Sequence, residues 1–326
     1  VSRWIEAWLS NRKQRVQVGG TSSDWSDVPS GVPQGSVLGL VLFTIYINDI
    51  DENIMSTILK FADDTKLIKR VATVEEAFTL QEDLSKLIQW SKDWLMLFNG
   101  GKCKCLHLGR NNPQYDYFLG EERIESVAEE SDLGVNMHQT LSFSMQCVKA
   151  VKKANQALGL IKKTIVNRDK MTILSLYKSV VRPHLEYCIQ AWRPYLQRDI
   201  DLMEKVQRRA TKLINGMQDL TYEERLKALG LTTLECRRLR GDLIETFKIL
   251  KGYELIEPSK FFEIKSDNTR GHSLKVEKGR SRLDLRKYSF SQRVVNYWNI
   301  LPQSVVDAWR GEGATPISDH TRHVPL

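Results

Sequence analysis

The sequence predicts an α+β fold in which a mixed region of helices and short strands gives way to an all-helical one. Three observations predict it. Strand-like alternation is confined to the first 140 or so residues, two adjacent acids between apolar runs at 57–68 mark a hairpin, and from Leu141 onward the apolar spacing becomes helical. A length of 326 residues and a hydrophobic content of 41% suffice for about two domains with real cores.

Each element follows from local pattern. Trp4, Ile5, Trp8 and Leu9 recur at helical spacing over residues 2–10, a stripe expected in a core, and Asn11 ends it. Arg15 to Val18 alternates as a strand closed by a turn at Gly19-Gly20, and the cluster from Arg12 to Arg15 is expected in solvent. Gly31 and Gly35 bracket Val32-Pro33-Gln34, where the missing Cβ atoms let the backbone approach a ligand closely. Ser36 then caps a helix over 37–50.

Next comes the run Thr57-Ile58-Leu59-Lys60-Phe61-Ala62-Asp63-Asp64-Thr65-Lys66-Leu67-Ile68. Adjacent carboxylates inside a buried strand would be costly, so Asp63 and Asp64 are predicted at the tip of a β-hairpin. Mg²⁺ prefers hard oxygen ligands and keeps places for water and substrate phosphates, so an acidic tip facing a cleft suits phosphoryl or nucleotidyl transfer. A solvated Asp-Asp turn has the same local sequence.

Thr73 to Glu76 has the spacing of a capping box, and Ala77, Leu80, Leu84, Leu87, Ile88, Trp94 and Leu95 trace the apolar face of a helix over 74–96. Strands are expected at 103–108 and 115–119, with Glu121-Glu122 turning the chain back through Arg123 to Val127. Helices follow at 142–165, 169–192 and 197–215. In the last of these, Ile200, Met203, Val206, Ala210, Leu213 and Ile214 form the buried face and leave Lys205, Arg208, Arg209 and Lys212 outside, either as a nucleic-acid contact or as a solvated surface.

Helices continue over 222–229 and 234–250, the second carrying Arg237, Arg238 and Arg240. Residues 252–290 are weaker in pattern, and their basic runs from Arg270 to Ser273 and from Lys278 to Arg282 suit phosphate binding and plain flexibility equally. A further helix ends at Pro302, and the stretch 311–326 has no periodicity.

Charge is unevenly spread. Residues 1–130 carry 14 Lys and Arg against 19 Asp and Glu, whereas residues 131–326 carry 34 against 21, so the later part alone is +13 of a net +8. Excess cation there suits a polyanionic partner and salt-sensitive binding. The five cysteines form no CxxC pairs, which argues against disulfides and a zinc knuckle. The longest apolar run, Leu38 to Ile47, is roughly half of what spans a bilayer. With no secretory leader in the sequence, the chain is expected inside the cell, in nucleus or cytoplasm, and not secreted.

Taken together, the stretches Ser30 to Ser36 with its apolar continuation to Ile50 and Phe61 to Ile68 resemble motifs B and C of reverse transcriptases. The likeness is greatest to non-LTR retrotransposons, the long interspersed elements of the jockey and chicken-repeat kind. It extends through Phe98 to Cys103, which resembles motif D, and Asp132 to Val135, which resembles motif E, the primer grip at Leu133 and Gly134. Leu176 to Tyr187 and Val206 to Ala210 resemble the thumb and post-thumb segments. The resemblance implies a partial polymerase palm over 1–140, a helical thumb over 141–216, a basic helical C-terminal region over 217–310 and an irregular tail over 311–326.

It also implies roles. RNA template, DNA primer and deoxynucleotide triphosphates would be the partners, and two Mg²⁺ ions the cofactor. Asp63 corresponds to the direct motif C metal ligand and Asp64 to its supporting neighbour; Lys102 corresponds to the general acid toward pyrophosphate, with Lys104 close enough to compete. Gln34 and Gly35 would contact the nascent base pair, Gly31 and Pro33 would shape their loop, Phe61 would pack near the primer end, and Ala62 holds the variable place of the tetrad. Leu40 departs from the family, which usually has proline there. The motif A aspartate is expected upstream of the segment resembling Val1 to Leu9, and Asp24, Asp27 and Asp49 sit in settings that do not replace it. The chain is therefore read as a truncated polymerase, inert alone, or as a non-catalytic nucleic-acid-binding remnant.

Overall fold

The structure, a computed structural model, describes residues 1–109, 111–265 and 271–307. Helix and sheet are mixed, in keeping with the α+β class. Two compact units form, one from Val1–Cys105 and Asn111–Ser126 and the other from the described residues of 106–109 and 127–307.

The first unit begins with α1 (Ser2–Leu9) and four two-residue strands, β1 (Lys13–Gln14), β2 (Gln17–Val18), β3 (Thr21–Ser22) and β4 (Ser26–Asp27). β1 pairs with β4 and β2 with β3, both antiparallel, and the Gly19-Gly20 turn closes the inner hairpin as expected. The tryptophan stripe is not core: α1 buries no residue, and Trp4 stacks on Trp8 while remaining 60% exposed. Spacing alone sets which residues share a helix face, not whether anything covers it.

α2 (Val37–Tyr46) is followed by the hairpin of β5 (Thr57–Phe61) and β6 (Asp64–Ile68), then by α3 (Val74–Asp93). Ser36 caps α2 by accepting from Gly39 N at 3.0 Å. The helix stops four residues short of expectation and 47–53 continues as turns. α3 has the capping box of Thr73 and Glu76. Its predicted last turn is absent: Leu95 adopts a positive φ of 54° and is 88% exposed. Buried Ile47, Ile50 and Leu87 gather Phe43, Ile58, Leu67 and Trp90 around them, so α2, the hairpin and α3 share one small core.

Short strands complete this part: β7 (Lys104–Leu106), β8 (Phe118–Leu119), β9 (Glu122–Arg123) and β10 (Glu125–Val127). β8 pairs with β9 and β7 with β10. Gln81 on α3 holds β8 by both amide atoms, accepting from Phe118 N at 2.8 Å and donating to its carbonyl at 2.9 Å.

The second unit opens with a hairpin of β11 (Glu129–Asp132) and β12 (Val135–His138). It continues through α4 (Ser144–Thr164), α5 (Lys170–Leu176), α6 (Arg182–Glu186), α7 (Gln197–Lys212), α8 (Tyr222–Leu229) and α9 (Leu234–Leu250). The helix expected over 169–192 is interrupted. Pro183 lacks an N–H and its ring crowds the carbonyl four residues back. Just before it the ladder widens into one π turn over Tyr177–Val181, with Arg182 N reaching Tyr177 O, and the helix ends at Glu186 before left-handed Cys188.

One core gathers Ala154, Val181, Leu185, Trp192, Met203, Val206 and neighbours. A second gathers Leu243, Phe247, Val276, Val294 and Trp298 with residues of the short helices α11 (Phe290–Arg293), α12 (Val295–Asn299) and α13 (Gln303–Asp307), which follow the exposed α10 (Asp284–Lys287). α9 joins the two cores, with Leu234 in the first and Leu239 in the second. Of its arginines, Arg238 is 1% exposed and donates to Leu185 O at 3.0 Å, while Arg237 forks onto Glu186. Arg270 and the stretch 311–326 lie outside the described residues. No helix among the described residues is long and apolar enough to cross a membrane.

Candidate active site and nucleic-acid interface

The acidic hairpin is regular to its end. Phe61 pairs with Asp64, leaving a two-residue turn of Ala62 and Asp63. Ala62 carries the left-handed φ of 52° that a two-residue hairpin turn demands at its first position, where glycine is usual. An alanine held there costs roughly 1–2 kcal/mol, which the ladder behind it offsets. Both aspartates are exposed, as is Phe61.

Strand alternation separates two roles within the hairpin. Cross-strand partners Ile58 and Leu67 pack into the core, and Lys60 on the same side donates to Asn48 O at 3.0 Å and to Asp51 Oδ1 at 2.8 Å. Leu59, Phe61 and Asp64 share the opposite, open side. The hairpin is further moored at its base by Asp83, which is fully buried on α3. Its carboxylate accepts from Met55 N at 3.1 Å, Ser56 N at 2.8 Å and Ser56 Oγ at 2.6 Å. Burial by itself would raise the Asp83 carboxyl, but these hydrogen bonds outweigh it and hold it below the ordinary value. Sequence reasoning missed Asp83, because an acid inside an amphipathic helix reads as a solvent residue.

The glycine-bracketed loop is fixed from two sides. Gly31 and Gly35 take φ of 78° and 82°. Gly39 is buried, and a Cβ there would lie 2.7 Å from Ser36 Oγ and 3.1 Å from Pro33 O, so a larger residue at this position would displace the Ser36 cap. Arg12, expected in solvent, instead donates from Nη2 to Ser30 O at 3.0 Å and Gly31 O at 2.6 Å. Gln34 is exposed, and Leu40 in the first turn of α2 is exposed too.

Lys102 ends a short 3₁₀ turn, exposed, and forms no ion pair among the described residues. Lys104 is engaged by Glu125 at 2.5 Å. Of the aspartates outside the hairpin, Asp27 lies 3.8 Å from Lys13 and Asp49 accepts from Trp90 Nε1 at 2.9 Å. No group of three or more His, Cys, Asp or Glu side chains that could hold a metal ion occurs among the described residues. The donors at the hairpin tip are thus two hard carboxylates, suited to a divalent cation in kind and short of one in number.

In the second unit, Leu133 and Gly134 form a two-residue hairpin turn with φ of 45° and 81°. Tyr187 donates to Leu133 O at 2.9 Å, and its ring would stand 3.4 Å from a Cβ on Gly134. On α7, Met203, Val206 and Ala210 are buried as expected, as is Ile214 just past its end, while Ile200 and Leu213 are only half-buried; Lys205, Arg208, Arg209 and Lys212 are exposed.

Residues 1–180 match the family described as reverse transcriptase (RNA-dependent DNA polymerase). The chain belongs to that family. Among curated proteins it is similar to the RNA-directed DNA polymerase from mobile element jockey of Drosophila melanogaster, 24% identical over 225 residues, covering 65% of this chain and 25% of that protein. It is also similar to the probable RNA-directed DNA polymerase from transposon X-element of the same fly, 25% identical over 225 residues, 66% of this chain and 25% of that protein. The jockey polymerase of Drosophila funebris is 25% identical over 227 residues, covering 65% of this chain and 25% of its own. The chain spans about a quarter of the length of the curated relatives it matches. No solved structure matches it. The resemblance to reverse transcriptases of non-LTR retrotransposons holds, and the family match covers the loop at 31–35, the acidic hairpin, Lys102 and the Leu133-Gly134 turn.

Proposed function

We propose that the chain carries motifs B to E of an RNA-directed DNA polymerase of a retrotransposon, with the palm running to about residue 140, the thumb over 141–216 and a basic helical region over 217–310. One observation carries the reading. Asp63 and Asp64 stand exposed at a hairpin tip whose strands share a core with the helix that follows the glycine-bracketed loop. Asp63 would hold a Mg²⁺ ion directly and Asp64 would support it. When bound, such ions activate a primer 3′-hydroxyl and neutralise the triphosphate and departing pyrophosphate.

The other residues have positional roles. Gly31, Pro33, Gln34 and Gly35 form the floor under template and nucleotide, and Arg12 keeps that floor in shape through the carbonyls of Ser30 and Gly31. Phe61 packs near the primer end, and Ala62 is the small residue beside the metal-holding acids. Lys102 is the proton donor to pyrophosphate; the pairing of Lys104 with Glu125 favours this choice between the two lysines. Leu133 and Gly134 grip the primer, and Lys205, Arg208, Arg209 and Lys212 contact the duplex.

A two-metal site needs a further carboxylate, and on this reading the 326 residues alone do not extend a primer. Primer extension on poly(rA)/oligo(dT) with Mg²⁺ tests both halves. Robust incorporation by these residues, lost in Asp63→Asn, overturns the inertness. In a polymerase that contains them together with an upstream aspartate strand, Asp63→Asn should lower extension by about 100-fold or more, and Asp24→Asn should not. Equal effects of the two would sink the metal role. The second reading, a binding protein without catalysis, is favoured by the cationic row on α7 and predicts duplex affinity that falls steeply with salt.

A further inference from the structure

In the first unit a hollow of about 330 Å³ lies between the turns that follow α2 and the end of α3. Trp90 and Trp94, one helical turn apart, form its aromatic wall, with ring centroids 6.3 Å apart and planes tilted by 33°. Trp94 is 42% exposed and Trp90 half-buried, so the wall is open to solvent. Both rings are nevertheless fixed. Trp90 Nε1 donates to Asp49 Oδ1 at 2.9 Å. Tyr46, which does not line the hollow, stands edge-on to Trp94 at 5.3 Å, and its hydroxyl donates to the Trp94 carbonyl. An aromatic surface held in place before it is covered loses little conformational entropy on binding.

The charge around this wall is negative. Asp49, Glu52 and Asp93 line the hollow together with Lys86. That lysine is already engaged, donating to Asn53 O at 2.8 Å and to Asp83 Oδ1 at 3.3 Å. Glu52 is exposed and forms no ion pair among the described residues, and Asp93 accepts from the neutral amide of Gln89 at 2.7 Å. Residues 1–130 as a whole carry 14 Lys and Arg against 19 Asp and Glu, so the surroundings favour a cation too.

The arrangement narrows the kind of cation. A hard metal ion wants several oxygens gathered round one point, and no group of three or more acids, histidines or cysteines able to hold one occurs among the described residues. Carboxylates set around two indole rings match instead a flat, weakly hydrated cation with many N–H donors. Guanidinium has those properties: it stacks on aromatic faces and forks onto carboxylates, whereas an ammonium group is compact and strongly hydrated. We infer that the hollow binds an arginine side chain of a polypeptide partner, its guanidinium against the Trp90–Trp94 wall and donating to Glu52 and Asp49. Two features favour a polypeptide over a free amino acid. The acids outnumber one guanidinium, so further basic residues of the same segment find partners at the rim, and free arginine would bring its own carboxylate into a negative site. The site does not depend on the polymerase reading.

The test uses the full chain with a fluorescein-labelled arginine–glycine repeat peptide, its lysine–glycine and citrulline–glycine counterparts, and N-acetylarginine amide as competitor, read by anisotropy. The arginine peptide should bind, the lysine peptide should bind about 3-fold or more weakly, and the uncharged citrulline peptide should not bind. Trp94→Ala should weaken the arginine peptide by about 2–30-fold, the worth of one cation–π contact. Glu52→Gln should weaken it by about 2–5-fold, and because Glu52 is exposed this variant keeps the test open if Trp94→Ala unfolds. Glu121→Gln, the same change of charge at an exposed acid of the unit outside the hollow, should leave the affinity as it was. No binding of the arginine peptide, equal binding of the lysine peptide, or equal losses in Glu52→Gln and Glu121→Gln would overturn the site. N-acetylarginine amide competing at the peptide's own affinity would overturn the polypeptide ligand.

Discussion

Asp83 in the first unit and Asp242 in the second are both fully buried carboxylates, and they are satisfied in opposite ways. Asp83 is held mainly by neutral donors, two backbone amides and a hydroxyl at the foot of the acidic hairpin, with Lys86 at 3.3 Å on its rim. Asp242 is held by charge. Arg293 forks onto it from Nε at 2.9 Å and Nη2 at 2.8 Å, and Arg193 donates at 3.0 Å. Arg293 also donates to Ile189 O, at 2.9 Å, so one side chain ties α9, the end of α11 and the loop after α6 together. The difference teaches what each carboxylate is for. Asp83 shapes the turn at the foot of the acidic hairpin, whereas Asp242 joins three pieces of chain far apart in sequence.

The largest expected effect follows from breaking the charged joint. Asp242→Ala leaves two guanidinium groups without their partner, one of them almost completely buried, and should cost about 3–5 kcal/mol in urea unfolding. A cost below about 1 kcal/mol would mean that water or backbone replaces the carboxylate. Asp83→Ala removes an acceptor from two amides and a hydroxyl and should cost less, about 1–3 kcal/mol. Hydrogen exchange at Met55 and Ser56 should rise first; uniform loss of protection through the chain would show that Asp83 supports more than the hairpin base.

The smallest effect concerns pH. His272 is buried against Trp298, accepts from Leu274 N at Nδ1 and so carries its proton on Nε2, which donates to Trp298 O at 2.9 Å. Burial lowers its pKa, reinforced by Lys275 and partly opposed by the Trp298 carbonyl and Asp307. With the folded value below the unfolded one, the unfolded chain takes up a proton that the folded chain refuses. Stability should fall as pH drops below about 6.5, by no more than about 1.4 kcal/mol per pH unit, until the folded ring itself protonates. Melting curves at descending pH, compared with His272→Gln, measure it. A fall of equal size in the variant over the same range would show that His272 does not carry the effect; Asp83, whose pKa is lowered, withdraws its stability only later, as the pH falls through the acidic carboxylate range.

The sequence by itself determined the local grammar of this protein. It determined the hairpin around Asp63 and Asp64, the caps at Ser36 and Thr73, and the exposed cations of α7, because these depend on residues within a turn or two of one another. Family membership was legible for the same reason, since the motifs are contiguous. Only the tertiary structure decided which faces are covered and which charges are spent. Trp4 looked like core and is exposed, Arg12 looked solvated and braces Gly31, and the inward Asp83 and Asp242 could not be told from surface acids. Those outcomes hinge on partners 18 to 51 residues away for the hydrogen bonds, and on absent cover for Trp4. No periodicity of 3.6 or 2 residues encodes contacts of that range.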